Sequence, residues 1–140
     1  MSARDTFHYA FRRALEKDGW TITDVPLRDS VGKTDLLIDL GAERLVAAQR
    51  DNERIAVEIK SFIGSSAVQD LKEALGQYQL YQIALERSKA DSDRALYLAV
   101  RAETFEAVFE EPLGKAVLDK HSVKMIVVDD IGEAIEQWIT

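Results

Sequence analysis

The sequence predicts an α/β domain: a mixed central β-sheet flanked by helices, in the order α-β-β-β-β-α-β-α-β-α. Three observations carry this reading. Short runs rich in β-formers crowd residues 20–60. A long stretch of helical periodicity follows them. Two unbroken apolar runs, 95–100 and 123–128, then read as strands buried on both faces.

Residues 4–18 read as a helix, with Phe7, Phe11, Ala14 and Leu15 on one stripe and Arg12, Arg13, Glu16 and Lys17 off it. Gly19 ends it, and WTITDV at 20–25 alternates as a strand. Three strand-like runs come next, DLLIDL (35–40), RLVAAQ (44–49) and RIAVEIK (54–60), separated by Gly41 and the polar turn 50–53. Ser66-Ala-Val-Gln69 forms a capping box that opens a helix over 67–88. Its expected core stripe is Val68, Leu71, Leu75, Tyr78, Gln82 and Leu85, with Ala74 and Tyr81 beside it. ALYLAV (95–100) and VKMIVV (123–128) are the buried strands, and between them a helical region over 103–119 is interrupted near Pro112. His121, at its end, suits a helix C-terminus when protonated. The apolar positions of IGEAIEQWI close the chain as a helix. A meander feeding right-handed parallel crossovers gives the mixed sheet.

At 140 residues, 46% hydrophobic and 31% charged, the composition is that of one globular domain spanning 1–140, with no repeat or low-complexity run. The absence of cysteine excludes disulfides and thiolate metal sites, and two histidines exclude a His-rich centre. Any metal would be a hard, oxygen-liganded cation. The net charge of −7 argues against a broad basic surface for nucleic acid. DNA binding is therefore expected to be weak, local or partner-assisted. No stretch has membrane-spanning length and the N-terminus carries no apolar signal core, so a cytoplasmic location is expected, with no membrane contact. Exposed sheet edges in so small a domain leave room for a homodimer.

The segment richest in chemistry is Ile-Ala-Val-Glu58-Ile-Lys60, preceded by Asp39. In a strand, Glu58 and Lys60 project from one face, roughly 6–7 Å apart. Carboxylates with a lysine on one sheet face suit metal-assisted phosphodiester cleavage: the acids hold Mg²⁺, and the lysine orients or deprotonates water. The plain alternative is an ion pair on a half-exposed strand. Gln77 and Tyr81, at i and i+4 on the following helix, share a face that would position substrate backbone or water. Their plain alternative is the edge of the helix–sheet interface.

This arrangement of helix, strand, Asp strand, Glu-x-Lys strand and Gln-x-x-x-Tyr helix resembles the PD-(D/E)XK nuclease superfamily, the restriction-endonuclease-like fold. More closely, DGWTITD, IDLGAERLVAAQ, IAVEIKSFIG and ALGQYQLYQIAL resemble the XisH family, the fdxN-element excision controlling factors of cyanobacteria. The resemblance implies a part in a developmental DNA rearrangement in heterocysts, beside a site-specific recombinase and a small XisI-like companion. It also implies that Glu58 and Lys60 form the Glu-x-Lys half of the nuclease motif and that Asp39 is the preceding acid. Pairing of 44–49 with 54–60 sets Glu58 opposite Leu45 or Val46 and Lys60 opposite Glu43, which makes Glu43 a rival to Asp39. Where related nucleases carry a glutamate on the first helix, this chain has His8, with Asp5 one turn earlier. His8 is also placed for plain helix packing. Arg12, Arg13 and Lys17 are the candidate phosphate contacts, or else a solvated helix face. The expected role is an accessory factor for excision. An active Mg²⁺-dependent endonuclease using Asp39, Glu58 and Lys60 is the first alternative, and a companion-binding subunit that does not touch DNA is the second.

Overall fold

The computed structural model describes residues 2–28, 30–31, 34–35 and 45–140. Helix α1 (Ala3–Lys17) is opened by Ser2, whose side chain accepts from the Asp5 amide, and is closed at Gly19, which takes φ +90°. Strand β1 (Thr21–Asp24) follows, then a short antiparallel ladder of β2 (Ser30–Val31) and β3 (Thr34–Asp35). Strands β4 (Leu45–Arg50) and β5 (Glu53–Ile59) make a hairpin whose two-residue loop places Asp51 at φ 54°. Helix α2 (Ala67–Arg87) crosses to β6 (Ala95–Arg101). A short α3 (Ala102–Thr104) runs into a π-helical turn at Phe105–Phe109 and then α4 (Pro112–His121), with proline in the first turn. Strands β7 (Met125–Asp129) and β8 (Ala134–Ile139) complete the described elements.

The larger sheet has the order β1-β4-β5-β6-β7-β8, with β5, β6 and β7 parallel and the outer pairings antiparallel. Alternation along its strands divides the core in two. Leu45, Ala47, Ala56, Leu96, Leu98 and Val100 pack with α2, whereas Val46, Ala48, Val57, Ile59, Tyr97 and Ala99 pack with Phe7, Phe11 and Leu15 of α1. The expected mixed sheet flanked by helices is thus present, with strand positions close to those read from the sequence. The run 35–40 lies mostly outside the described residues. No helix among the described residues is long and apolar enough to cross a membrane.

Two expectations need correction. The final segment is strand β8, not a helix, so the order ends in β. Its apolar residues at Ile135 and Trp138 are three apart, a helical spacing, yet both join the α1-side core. The cause is a bulge: Ile135 pairs with Val128 but Gln137 with Val127, so one extra residue shifts the alternation. Trp138 then reaches Trp20 and Tyr97, with ring centroids 5.6 and 5.1 Å away. The core face of α2 is also rotated from the expected stripe. Its buried residues are Asp70, Leu71, Ala74, Tyr78, Tyr81, Ala84 and Leu85, whereas Val68 is 52% exposed and Gln82 only partly buried. Ala74 and Ala84 share the α2-side core with Ala47 and Ala56 of the sheet.

Candidate functional site

Glu58 sits near the C-terminal end of β5, opposite Leu45 on one side and Leu98 on the other, which settles the first of the two registers. Between Val57 and Ile59, both in the α1-side core, its side chain must point to the α2 face. There it is 3% exposed, and neither carboxylate oxygen has a hydrogen-bond partner among the described residues. Burial pushes its pKa well above the usual carboxylate range, against the opposing pull of the Lys60 charge. An apolar residue would fill this position at lower cost, so the carboxylate needs a reason to be there.

Lys60 follows β5, its amide donating to the Ala99 carbonyl at 3.1 Å. Its ammonium, with the side chain 16% exposed, donates to Glu73 Oε2 at 3.0 Å. That hydrogen bond is the chief cause lowering the pKa of Glu73, and Arg4 in the first turn of α1 adds to it. Tyr78 approaches from α2. Its hydroxyl donates to Leu96 O at 3.0 Å and accepts from the Lys124 amide at 3.2 Å. Burial raises its pKa, the Lys124 bond opposes this, and the Glu58 charge raises it further.

The loop after Lys60 is held from several sides. Arg101 Nη2 donates to Ser61 O at 3.2 Å, and Phe62, at φ 53°, meets Phe109 edge-on at 5.7 Å. Gly64 N donates to Asp70 Oδ2 at 2.9 Å. A Cβ on residue 64 would lie 2.7 Å from Asp70 Oδ1, so no side chain fits without displacing that carboxylate. Gly64→Ala is expected to cost about 1–2 kcal/mol, roughly one hydrogen bond plus the displacement. Urea unfolding measures it, and an unchanged midpoint would show that Asp70 does not hold the loop.

Of the residues singled out from the sequence, Glu58 and Lys60 share the α2 face as expected. Asp39 and Glu43 lie outside the described residues. Tyr81 is 3% exposed within the α2-side core and Gln77 is partly buried one turn before it. The helix residue whose phenol feels the Glu58 charge is Tyr78. His8 is half-buried on α1, its ring 5.6 Å from Tyr9, on the helix that covers the other face. Arg13 pairs with Glu133 and Lys17 donates to Gly132 O, so both grip the β7–β8 turn, while Arg12 lies over Tyr9. Glu73 and Arg101 escaped sequence reasoning. Glu73 had a signal: it stands four residues before Gln77 and extends the Gln77–Tyr81 stripe by a turn. Arg101 had none.

The donor set suits a hard cation only in part. Glu58 offers two unclaimed oxygens, yet among the described residues no group of three or more His, Cys, Asp or Glu is placed to hold a metal. Asp39 and Glu43, the other acids read from the sequence as ligands, are not among the described residues.

Comparison with known proteins gives a consistent answer. No curated protein matches the chain significantly. A crystal structure of an XisH family protein from Nostoc punctiforme PCC 73102 superposes with a TM-score of 0.88 at 43% identity, covering 97% of this chain and all 100% of that one. A crystal structure of an fdxN element excision controlling factor protein from Anabaena variabilis gives the same TM-score and identity, 0.88 and 43%, over 98% of this chain and 100% of that one. The family model described as XisH protein matches residues 1–136, and the chain belongs to the XisH family.

Proposed function

We propose that this protein controls the excision of a DNA element, as the name of the Anabaena variabilis structure says of that protein. It acts as an accessory factor with a restriction-endonuclease-like fold, beside a site-specific recombinase and a small XisI-like companion. The observation that carries the DNA-directed reading is Glu58. A buried carboxylate without a hydrogen bond among the described residues, on the same sheet face as Lys60, is the residue pair that phosphodiester chemistry uses. The test is an excision assay on a plasmid-borne element with recombinase and companion, with and without this chain. Excision yield is expected to depend on the chain, and equal yields would overturn the role.

The same observation favours a second reading, a Mg²⁺-dependent endonuclease. Glu58 with Asp39 or Glu43 would hold the cation, which would supply Lewis-acid stabilisation of the phosphate when bound. Lys60 would orient the attacking water, drawn from its present bond to Glu73. Supercoiled and branched DNA, incubated with Mg²⁺ or Mn²⁺ and with or without the companion, decides it. Cleavage by wild type that both Glu58→Gln and Lys60→Ala abolish establishes the enzyme. No cleavage by folded, companion-bound wild type leaves the accessory role alone.

A further inference from the structure

We propose that Arg101 binds a nucleic-acid phosphate at the C-terminal edge of the sheet, on the side opposite Lys60. This rests on the reading that this end of the protein meets DNA. Buried or half-buried guanidinium groups need acceptors, because removing them from water is costly unless charge and hydrogen bonds are matched. Two sheltered arginines of the described residues follow that rule, whereas Arg12, also partly buried, meets the Tyr9 ring. Arg94, 7% exposed, has Asp91 and two carbonyls, and Arg54 has Asp91, Asp93 and Ala90 O. Arg101 departs from it at a buried atom, its Nε. Half-buried, it makes a single hydrogen bond, to Ser61 O, and no ion pair among the described residues, while its Nε is buried with no acceptor. In a chain with 25 acidic residues, a sheltered arginine without a carboxylate points to an anion supplied from outside.

Its position suits a phosphodiester. Arg101 ends β6, next to the end of β5, where parallel strands of an open α/β sheet present ligands at their carboxyl edges. Alternation puts it on the α1 side with Tyr97 and Ala99, whereas Lys60 points to the α2 side, so two cations straddle the same sheet edge. Lys60 is paired with Glu73, so Arg101 is the cation of this edge that has no carboxylate among the described residues, and one local contact of that kind is compatible with a net charge of −7. The Ser61 bond fixes the guanidinium in place, so less side-chain entropy is lost when a phosphate binds.

The experiment is fluorescence anisotropy with a labelled duplex across a salt series, with the companion present and absent. It uses wild type, Arg101→Ala and Arg101→Lys, each checked for folding by circular dichroism. Thermal melting with inorganic phosphate runs in parallel. Arg101→Ala is expected to weaken duplex binding about fivefold and to lower the slope of log K against log salt by about 1, as for loss of one phosphate contact. Arg101→Lys keeps the charge and is expected to retain most of the slope. If wild type binds duplex and both variants bind it equally with the same slope, the Arg101 proposal falls while the DNA reading stands. If wild type binds no duplex in either state, the DNA reading falls and this proposal with it. Phosphate protection lost in Arg101→Ala would then identify a small phosphate ligand instead. If Arg101→Ala does not fold, Arg101→Gln decides: weaker binding with a slope lower by about 1 supports the contact, and unchanged binding and slope overturn it.

Discussion

Arg94→Met is expected to destabilise the fold by about 3–5 kcal/mol, the loss seen when one partner of a buried ion pair is removed. Arg94 is 7% exposed and Asp91 8% exposed. The guanidinium donates to Asp91 Oδ1 at 2.7 Å and, through Nη1, to Ile55 O at 3.1 Å and Ala48 O at 3.4 Å. Its three acceptors belong to β4, β5 and the loop before β6, so this one side chain joins the β4–β5 hairpin to the first residue pair of the parallel ladder, Ile55 with Ala95. Methionine fills the volume but leaves the Asp91 carboxylate with Arg54, 3.6 Å away, and a 3.5 Å bond from Ser88 Oγ, and two carbonyls lose a donor. Urea unfolding measures the loss, and Asp91→Asn combined with Arg94→Met should recover part of it because the stranded charge is gone. A single-variant loss below about 1 kcal/mol would place Arg94 among ordinary surface residues. The same register that Arg94 secures carries Glu58 to its place opposite Leu98, so the staple and the candidate site sit on one strand.

How much of this was legible in the sequence depends on the range of the interaction. Strand β5 and the shared face of Glu58 and Lys60 follow from alternation alone, because a two-residue period is a local rule. The capping box at Ser66 likewise gave the start of α2 correctly, and its side chain does accept from the Gln69 amide. The rest depended on contacts that no local pattern encodes. Lys60 with Glu73, Arg101 with Ser61 and Arg94 with Ile55 join residues 13, 40 and 39 positions apart. The error at β8 has a similar cause: the bulge opposite Val127 and Val128 is a property of the pairing, and without it Ile135 and Trp138 look helical. Asp39 and Glu43, the acids the sequence offered as partners for Glu58, lie outside the described residues.

Glu58→Gln is expected to raise stability, and to do so only above acid pH. Burial raises the pKa of Glu58 in the folded protein above its unfolded value. The folded state therefore holds the proton more tightly. Below the unfolded carboxylate range the side chain is protonated in both states and exacts no electrostatic penalty. As pH rises through the unfolded value and then the raised folded one, the penalty grows until both states are ionised. Glutamine removes the charge and keeps the shape. At pH 8 the variant should be more stable by about 1–3 kcal/mol, the scale of a buried polar group left unsatisfied, while at pH 4 the two proteins should melt together. In a domain of this size the difference is a rise in Tm of roughly 3–10 °C. A gap that does not widen with pH would mean that the ionised carboxylate is already compensated in the folded chain, and the argument from its burial would fail. Mg²⁺ adds a second axis. A cation held by the ionised carboxylate stabilises the folded state by mass action, so it should raise the melting temperature of wild type at pH 8, not at pH 4, and leave Glu58→Gln unmoved. A protein that retains a destabilising carboxylate, and recovers the loss only when a cation binds, trades stability for a binding function. If Mg²⁺ moves both proteins alike at pH 8, the cation binds elsewhere and the metal-dependent endonuclease reading loses its ligand.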